Sequence, residues 1–130
     1  MKEPIKELTK AEEQVMQILW MLKKAFVKDV VEQFDDPKPA YNTVSTIIRI
    51  LEKKGFVSYK SYGNTYEYFP LITKNEYSDT YLGNFVKNYF GNSYKSLVSF
   101  FASGDSMSVA ELQEMKLLVD QEIQKKQNNG

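Results

Sequence analysis

The side chains of this sequence best suited to chemical recognition begin just after Pro39. Asn42 can form two hydrogen bonds with the edge of an adenine, and the methyl groups of Thr43 and Thr46 can touch thymine methyls. Arg49, about two helical turns further along, can reach a guanine or a phosphate. Short hydroxyl and amide side chains with one arginine are typical of a surface that lies against nucleobases.

Most catalytic chemistry is excluded by composition, because the 130-residue chain has no histidine and no cysteine. It can form no disulfide, no zinc site of the Cys/His kind, and no Ser-His or Cys-His nucleophile pair. The acidic pairs Glu12-Glu13 and Asp35-Asp36 lie on a predicted helix surface and in a predicted loop, with no shared apolar pocket. We therefore predict a protein that is not an enzyme and needs no metal or cofactor.

The charge is balanced overall, with 17 basic and 17 acidic residues, but it is not evenly distributed. Between Lys38 and Lys60 there are five basic residues and one acid, Glu52. A basic zone in a neutral protein indicates a directed contact with an anion. Lys53 and Lys54 also suit the C-terminus of a solvated helix, so charge alone leaves both interpretations open.

Three helices are predicted in the first half of the chain. Thr9 and Glu12 have the spacing of a capping box, which predicts a helix from about Thr9 to Lys23. A short helix is expected from Val27 to Phe34, ended by the following prolines. A third begins near Tyr41 and stops at Gly55, where glycine allows the left-handed turn.

After Gly55 the hydrophobic period changes from 3.6 to 2, which predicts strands at Phe56–Ser61 and Thr65–Phe69. Tyr62, Gly63 and Asn64 supply the turn between them. Three helices followed by a hairpin is the element order of a winged helix-turn-helix. We therefore predict a mainly α fold with a small β-hairpin wing.

The third helix is expected to present a polar face that touches DNA, because an ordinary solvated face would be richer in Glu and Lys. Lysines nearby are expected to neutralise phosphates, and tyrosines and an asparagine at the helix start and wing tip to approach the backbone or minor groove. The predicted DNA-binding residues are Tyr41, Asn42, Thr43, Ser45, Thr46, Arg49, Lys53, Lys54, Lys60, Tyr62 and Asn64.

Each assignment has a structural alternative. Asn42 or Thr43 could be the N-cap of the third helix. Arg49 could form a surface ion pair with Glu52 or Glu67.

The pattern of the second half, from Thr73, predicts three further helices. We therefore predict a winged-helix DNA-binding domain at 1–72 and a helical dimerisation region at 73–130. The apolar stripes of these helices could pack back on the first domain, but a second copy of the chain is the favoured partner. The expected dimer interface comprises Tyr77, Tyr81, Phe85, Tyr89, Leu112, Met115 and Val119. A polar, mobile tail is expected from Lys125 to Gly130.

The sequence predicts a cytoplasmic protein without membrane insertion. Its longest apolar run, Ile18–Leu22, is far shorter than the roughly 20 residues of a membrane span. The start, Met1–Pro4, carries no apolar signal segment.

Four stretches resemble signatures of the BlaI/MecI/CopY family of bacterial transcriptional repressors. Leu8–Glu12, with the following Leu19-Trp20, is similar to its opening signature, and Tyr41–Val57 to its recognition helix and the turn into the wing. Tyr89–Gly91 and Lys95–Val98 are similar to its C-terminal signature.

The resemblance implies a sequence-specific repressor that binds a palindromic operator in double-stranded DNA as a homodimer until a signal arrives. Copper-responsive members use C-terminal cysteines, which this chain lacks. In β-lactam-responsive members a membrane sensor protease system leads to cleavage at an Asn-Phe bond, and the matching positions here are Phe100 and Phe101. The alternative function is a winged-helix protein–protein adaptor that does not bind DNA.

Overall fold

A computed structural model describes residues 5–129. Gly130 lies outside the described residues, and so does Met1–Pro4, where the sequence predicts that there is no signal segment. Within residues 5–129 the chain is mainly helical with one two-stranded antiparallel hairpin, which confirms the predicted fold class. Its elements in chain order are α1 (Lys10–Leu22), α2 (Val27–Glu32), α3 (Tyr41–Lys53), β1 (Val57–Tyr62), β2 (Thr65–Pro70), α4 (Lys74–Phe90), α5 (Tyr94–Ser103) and α6 (Val109–Asn129).

The chain divides into two compact units, Met1–Leu82 and Gly83–Gly130, which we call the winged unit and the C-terminal unit. The sequence places the boundary at residues 72 and 73 instead. The first turns of α4 belong to the winged unit because Tyr77 is buried among its core side chains.

The core of the winged unit is built from one face of each of its helices and the inner face of the hairpin. In α3 the apolar residues at i, i+3, i+4 and i+7 form one stripe, with Val44, Ile48 and Leu51 fully buried and Ile47 packed at the edge. The other buried apolar residues of this core are Val15, Met16, Leu19, Ala25, Val27, Val30, Phe56, Val57, Tyr68 and Tyr77.

The hairpin is fixed at its turn and at its base. Gly63 has a φ of 64°, a left-handed conformation that glycine adopts without steric cost, and Tyr62 pairs with Thr65 across the turn. Nearer the base, Ala25 and Tyr68 exchange two backbone hydrogen bonds of 2.9 and 2.8 Å. The segment between α1 and α2 therefore anchors the wing to the helices.

Glu12 joins the start of α1 to the end of α3. Its carboxylate accepts from the backbone N–H of Thr9 at 2.9 Å, completing the predicted capping box, and from Lys54 Nζ at 2.7 Å. The residue is only 5% exposed. Burial favours the protonated form, but the hydrogen bonds from Lys54 and Thr9 and the lysine charge outweigh it, so the pKa of Glu12 lies below 4.5.

Glu12→Gln should lower the free energy of unfolding at neutral pH by about 1.5–3 kcal/mol, because a charged hydrogen bond to Lys54 is lost. A carboxylate whose pKa is depressed by folding stabilises above its unfolded pKa, and this contribution is lost as pH falls through the folded value. The difference from the unsubstituted chain should therefore shrink below about pH 4.5, in urea titrations at several pH values. A deficit that is constant from neutral to acidic pH would contradict this role.

The C-terminal unit is held by local caps and a row of aromatic contacts. Asn92 takes a φ of 63° between α4 and α5, and Ser93 Oγ caps α5 by accepting from Ser96 N at 3.1 Å. Phe90 lies 5.7 Å from Phe85 and 5.5 Å from Phe100, measured between ring centroids.

The last described residues, predicted as a polar and mobile tail, are part of a long helix. Ser108 and Glu111 form a capping box at the start of α6. From there α6 continues through the stretch predicted to be mobile, as far as Asn129. In the part of the chain that the structure covers, no helix is both long enough and apolar enough to cross a lipid bilayer.

Candidate nucleic-acid interface

The first turn of α3 is exposed and polar. Tyr41, Asn42 and Thr43 all face solvent, and Ala40, in an extended conformation, occupies the N-cap without a side-chain hydrogen bond. Neither Asn42 nor Thr43 therefore caps the helix, and the structural alternative for these two residues does not apply. Their polar groups remain available for a ligand.

A cleft of about 540 Å³ separates the outer face of α3 from the hairpin. Five predicted DNA-binding residues line it, namely Tyr41, Asn42, Ser45, Arg49 and Asn64. The remaining lining residues were not predicted from the sequence: Phe26, Val27, Lys28, Glu52, Tyr59, Thr65, Tyr66 and Tyr68.

Three of these unpredicted residues form the wing side of the cleft. Tyr59 and Tyr66 stack with their ring centroids 4.2 Å apart, and Tyr68 lies 5.6 Å from Tyr59. The two-residue period of β2 puts Tyr66 and Tyr68 on one face, a signal that could have identified them. No sequence pattern indicates that Lys28 lines the cleft, because its position there depends on how α2 packs.

Burial, and then the negative charge of Glu52, raise the pKa of the Tyr68 phenol. The nearby guanidinium of Arg49 acts in the opposite direction, favouring ionisation. A phenol with an ordinary pKa is already protonated at neutral pH, so the Tyr68 hydroxyl is a hydrogen-bond donor in the cleft wall with or without this shift.

Ser45 departs from the prediction, because it is buried, with 8% exposure, rather than part of an open polar face. Its Oγ accepts a hydrogen bond of 3.1 Å from Nη2 of Arg49, one helical turn later. Within residues 5–129, Arg49 forms no ion pair with Glu52 or Glu67. The surface ion pair considered as an alternative for Arg49 is therefore not formed.

The hydroxyl of Thr46 forms a hydrogen bond within α3, in which Oγ1 donates to the Asn42 carbonyl oxygen at 2.9 Å. The methyl group is the part that remains for an apolar contact, as the thymine prediction requires.

Some of the basic side chains are exposed to solvent, and others are bound to groups of the protein itself. Lys53 is exposed, and Lys60 is exposed with Nζ 5.3 Å from the centroid of the Tyr62 ring. Lys38 donates to the Phe34 carbonyl just after α2, at 2.6 Å. Lys54 is less available for the predicted phosphate contact, because its ammonium is bound to the buried Glu12.

The wing tip presents the two predicted residues to solvent. Tyr62 is 5.9 Å from the ring of Phe26, and Asn64 borders the cleft. Both are exposed. The structure thus brings the first turn of α3, Arg49 and the wing tip to the edges of one concave surface.

The family model described as Penicillinase repressor matches residues 8–121 of this chain. The chain belongs to the penicillinase repressor family. This confirms the resemblance found in the sequence.

Relatives within the penicillinase repressor family match the chain over nearly their whole length. The methicillin resistance regulatory protein MecI of Staphylococcus aureus strain N315 is 28% identical over 115 residues, 88% of this chain and 94% of MecI. The penicillinase repressor of Bacillus licheniformis is 22% identical over 123 residues, 94% and 96% of the two chains. A solution structure of the DNA-binding domain of the repressor BlaI has a TM-score of 0.49, 24% identity, and covers 59% of this chain and 94% of that one.

In this member of the penicillinase repressor family, one of the predicted dimer-interface residues is buried within the single chain. Tyr77 is 5% exposed, and its hydroxyl accepts from the backbone N–H of Leu8 at 2.9 Å. It is a core residue of the winged unit, with little surface left for contact with a second copy. Of the other predicted residues, Tyr81, Tyr89 and Val119 are exposed and Phe85, Leu112 and Met115 are half-buried.

The positions that match the family's cleavage site lie within a helix. Phe100 and Phe101 are in the second half of α5, with Phe100 exposed and Phe101 half-buried. A protease binds its substrate in an extended form, so a cut here would require α5 to unwind locally.

Proposed function

We propose that this member of the penicillinase repressor family represses transcription by binding double-stranded DNA as a homodimer. In each copy α3 enters the major groove and the hairpin lies against the neighbouring backbone. The observation that carries the proposal is the exposed, uncapped polar first turn of α3 beside the wing.

Charge in the cleft supports a polyanionic partner. Glu52 is the one acidic residue among those lining it, whereas Lys28 and Arg49 supply two positive charges. Lys53 and Lys60 add exposed ammonium groups on α3 and β1. Phosphate contacts from such groups position a protein on DNA, and the side chains of the α3 first turn can then read bases.

The homodimer is supported by apolar side chains exposed on the C-terminal unit. Isolated exposed apolar residues are ordinary, but a concentration on one small unit indicates a partner. A second copy is the simplest partner, and a symmetric pair of α3 helices calls for an inverted repeat in the DNA. These exposed residues are Tyr89, Tyr94, Val98, Phe100, Val109, Leu117, Leu118, Val119 and Ile123.

The proposed repression by DNA binding is independent of which signal relieves it. The membrane sensor protease system and the cut at Phe100-Phe101 stay expectations from the family resemblance, and DNA binding does not depend on them.

Binding to a duplex selected from random sequence should weaken steeply with salt. About 6–10 phosphate contacts per dimer give a slope of log affinity against log salt of about −5 to −9. Replacing Lys53 with glutamine removes one contact in each copy and should reduce the magnitude of that slope by about 2. Fluorescence anisotropy with labelled duplex at several salt concentrations measures both.

Lys125→Gln is the matched control, since Lys125 lies in α6 and pairs with Glu122 at 3.4 Å. It should leave the slope unchanged. If no duplex binds even at low salt, the DNA-binding proposal is wrong and the protein–protein adaptor becomes the better hypothesis.

A further inference from the structure

The hydrogen bond between Ser45 and Arg49 fixes a long cationic side chain at the wall of the cleft. Arg49 Nη2 donates to Ser45 Oγ at 3.1 Å, and both residues line the cleft with Tyr68. The guanidinium lies close enough to Tyr68 for its charge to act on that phenol. Arg49 is therefore held along α3 toward the wing.

The guanidinium keeps most of its donors for a ligand. It has five N–H donors, and the bond to Ser45 uses one. No salt bridge involves Arg49 anywhere in the described range 5–129, although Glu52 lies one turn away on the same helix. A planar fork with unused donors matches the two acceptors, O6 and N7, on the major-groove edge of guanine.

Ser45 is an unusual residue for its place in the helix. Serine is a weaker helix former than alanine, and a buried hydroxyl needs a partner. At 8% exposure, Ser45 makes little direct contact with solvent or a ligand. The interaction that the structure gives its hydroxyl is the one with Arg49.

We propose that Ser45 is a positioning residue whose hydroxyl orients Arg49 to read a guanine in each half of the operator. This inference rests on the proposed DNA-binding function. An arginine side chain without a fixed orientation can contact any nearby phosphate. One held in a single orientation can bind the paired acceptors O6 and N7 of a guanine at one position in the site. Fixing the side chain before binding also reduces the entropy lost in the complex.

The test begins with a duplex selected from random sequence by the unsubstituted full-length chain. Guanines in the selected half-site are then replaced one at a time by adenine, symmetrically in both halves. The unsubstituted chain should discriminate against one such replacement by about 10- to 100-fold. Arg49→Ala should abolish that preference, and Arg49→Lys should weaken it while retaining salt-dependent binding, because lysine can donate to O6 and N7 but has no planar fork.

Ser45→Ala should reduce the same preference about five- to tenfold while changing affinity for unrelated DNA little. The double variant should behave as Arg49→Ala alone, because a residue that acts only through Arg49 has nothing left to position. Ser45→Cys, which preserves the volume but offers only a weak acceptor, should lose preference in the same way if the alanine variant folds poorly.

Three outcomes overturn the inference while leaving DNA binding intact. They are full preference in both Ser45 variants, full preference in Arg49→Ala, and a double variant with additive losses. If the unsubstituted chain selects no sequence at all, the proposed function itself fails, which is a different result.

Discussion

Tyr77→Ala should destabilise the winged unit by about 3–5 kcal/mol, the usual cost of removing a buried aromatic ring. The ring of Tyr77 lies 5.7 Å from Phe56 and 6.0 Å from Trp20, between centroids. Its hydroxyl also satisfies the backbone N–H of Leu8. Alanine would leave a cavity where the start of the chain, α1, the hairpin base and α4 meet.

Urea unfolding followed by tryptophan fluorescence measures this effect. The chain has one tryptophan, Trp20, and it lies in the winged unit against Tyr77, so its emission reports on that unit. Tyr77→Phe keeps the ring and should cost about 1–3 kcal/mol, because the N–H of Leu8 loses its acceptor.

Tyr81→Ala is the matched control, one helical turn further along the same stripe. Tyr81 is 48% exposed, so its replacement should cost about 1 kcal/mol or less. If Tyr77→Ala unfolded no more easily than Tyr81→Ala but dissociated a dimer, the placement of Tyr77 in the core would be wrong.

Val119→Asp should convert the proposed homodimer into monomers at micromolar concentration. Val119 is 53% exposed within a single chain, so the substitution removes no core contact from the C-terminal unit. A carboxylate buried in a dimer interface without a partner costs several kcal/mol, and twofold symmetry introduces it twice. Sedimentation velocity measures the change in mass, and affinity for the selected duplex should fall with it.

Gln124→Asp introduces the same charge five residues later on α6, on a different side of the helix, since successive residues are about 100° apart. Its neighbours one turn away are polar, namely Asp120, Gln121, Gln127 and Asn128. It should leave the sedimentation coefficient unchanged. If the Val119→Asp variant still forms dimers, Val119 on α6 is not part of the interface. If the unsubstituted chain is a monomer, the homodimer proposal is wrong.

Local physics explains why much of the fold could be predicted from the sequence. The capping boxes at Thr9, Thr73 and Ser108 join side chains and N–H groups three residues apart, so no distant contact is needed to define them. Gly55 and Gly63 take the positive φ expected at the end of α3 and at the wing turn. The 3.6-residue period of the apolar residues in α3 identifies the face of that helix that is buried.

For the candidate site, the sequence determined which helix carries recognition side chains, and the tertiary structure decided what each one can touch. Tyr77 and Tyr81 share one stripe, yet only Tyr77 is covered by the winged unit. Lys54 and Lys53 are adjacent, yet only Lys54 meets the buried Glu12, 42 positions earlier. Periodicity defines a face along one helix, but burial and ion pairing depend on which distant segment packs there, and that information lies in the fold as a whole.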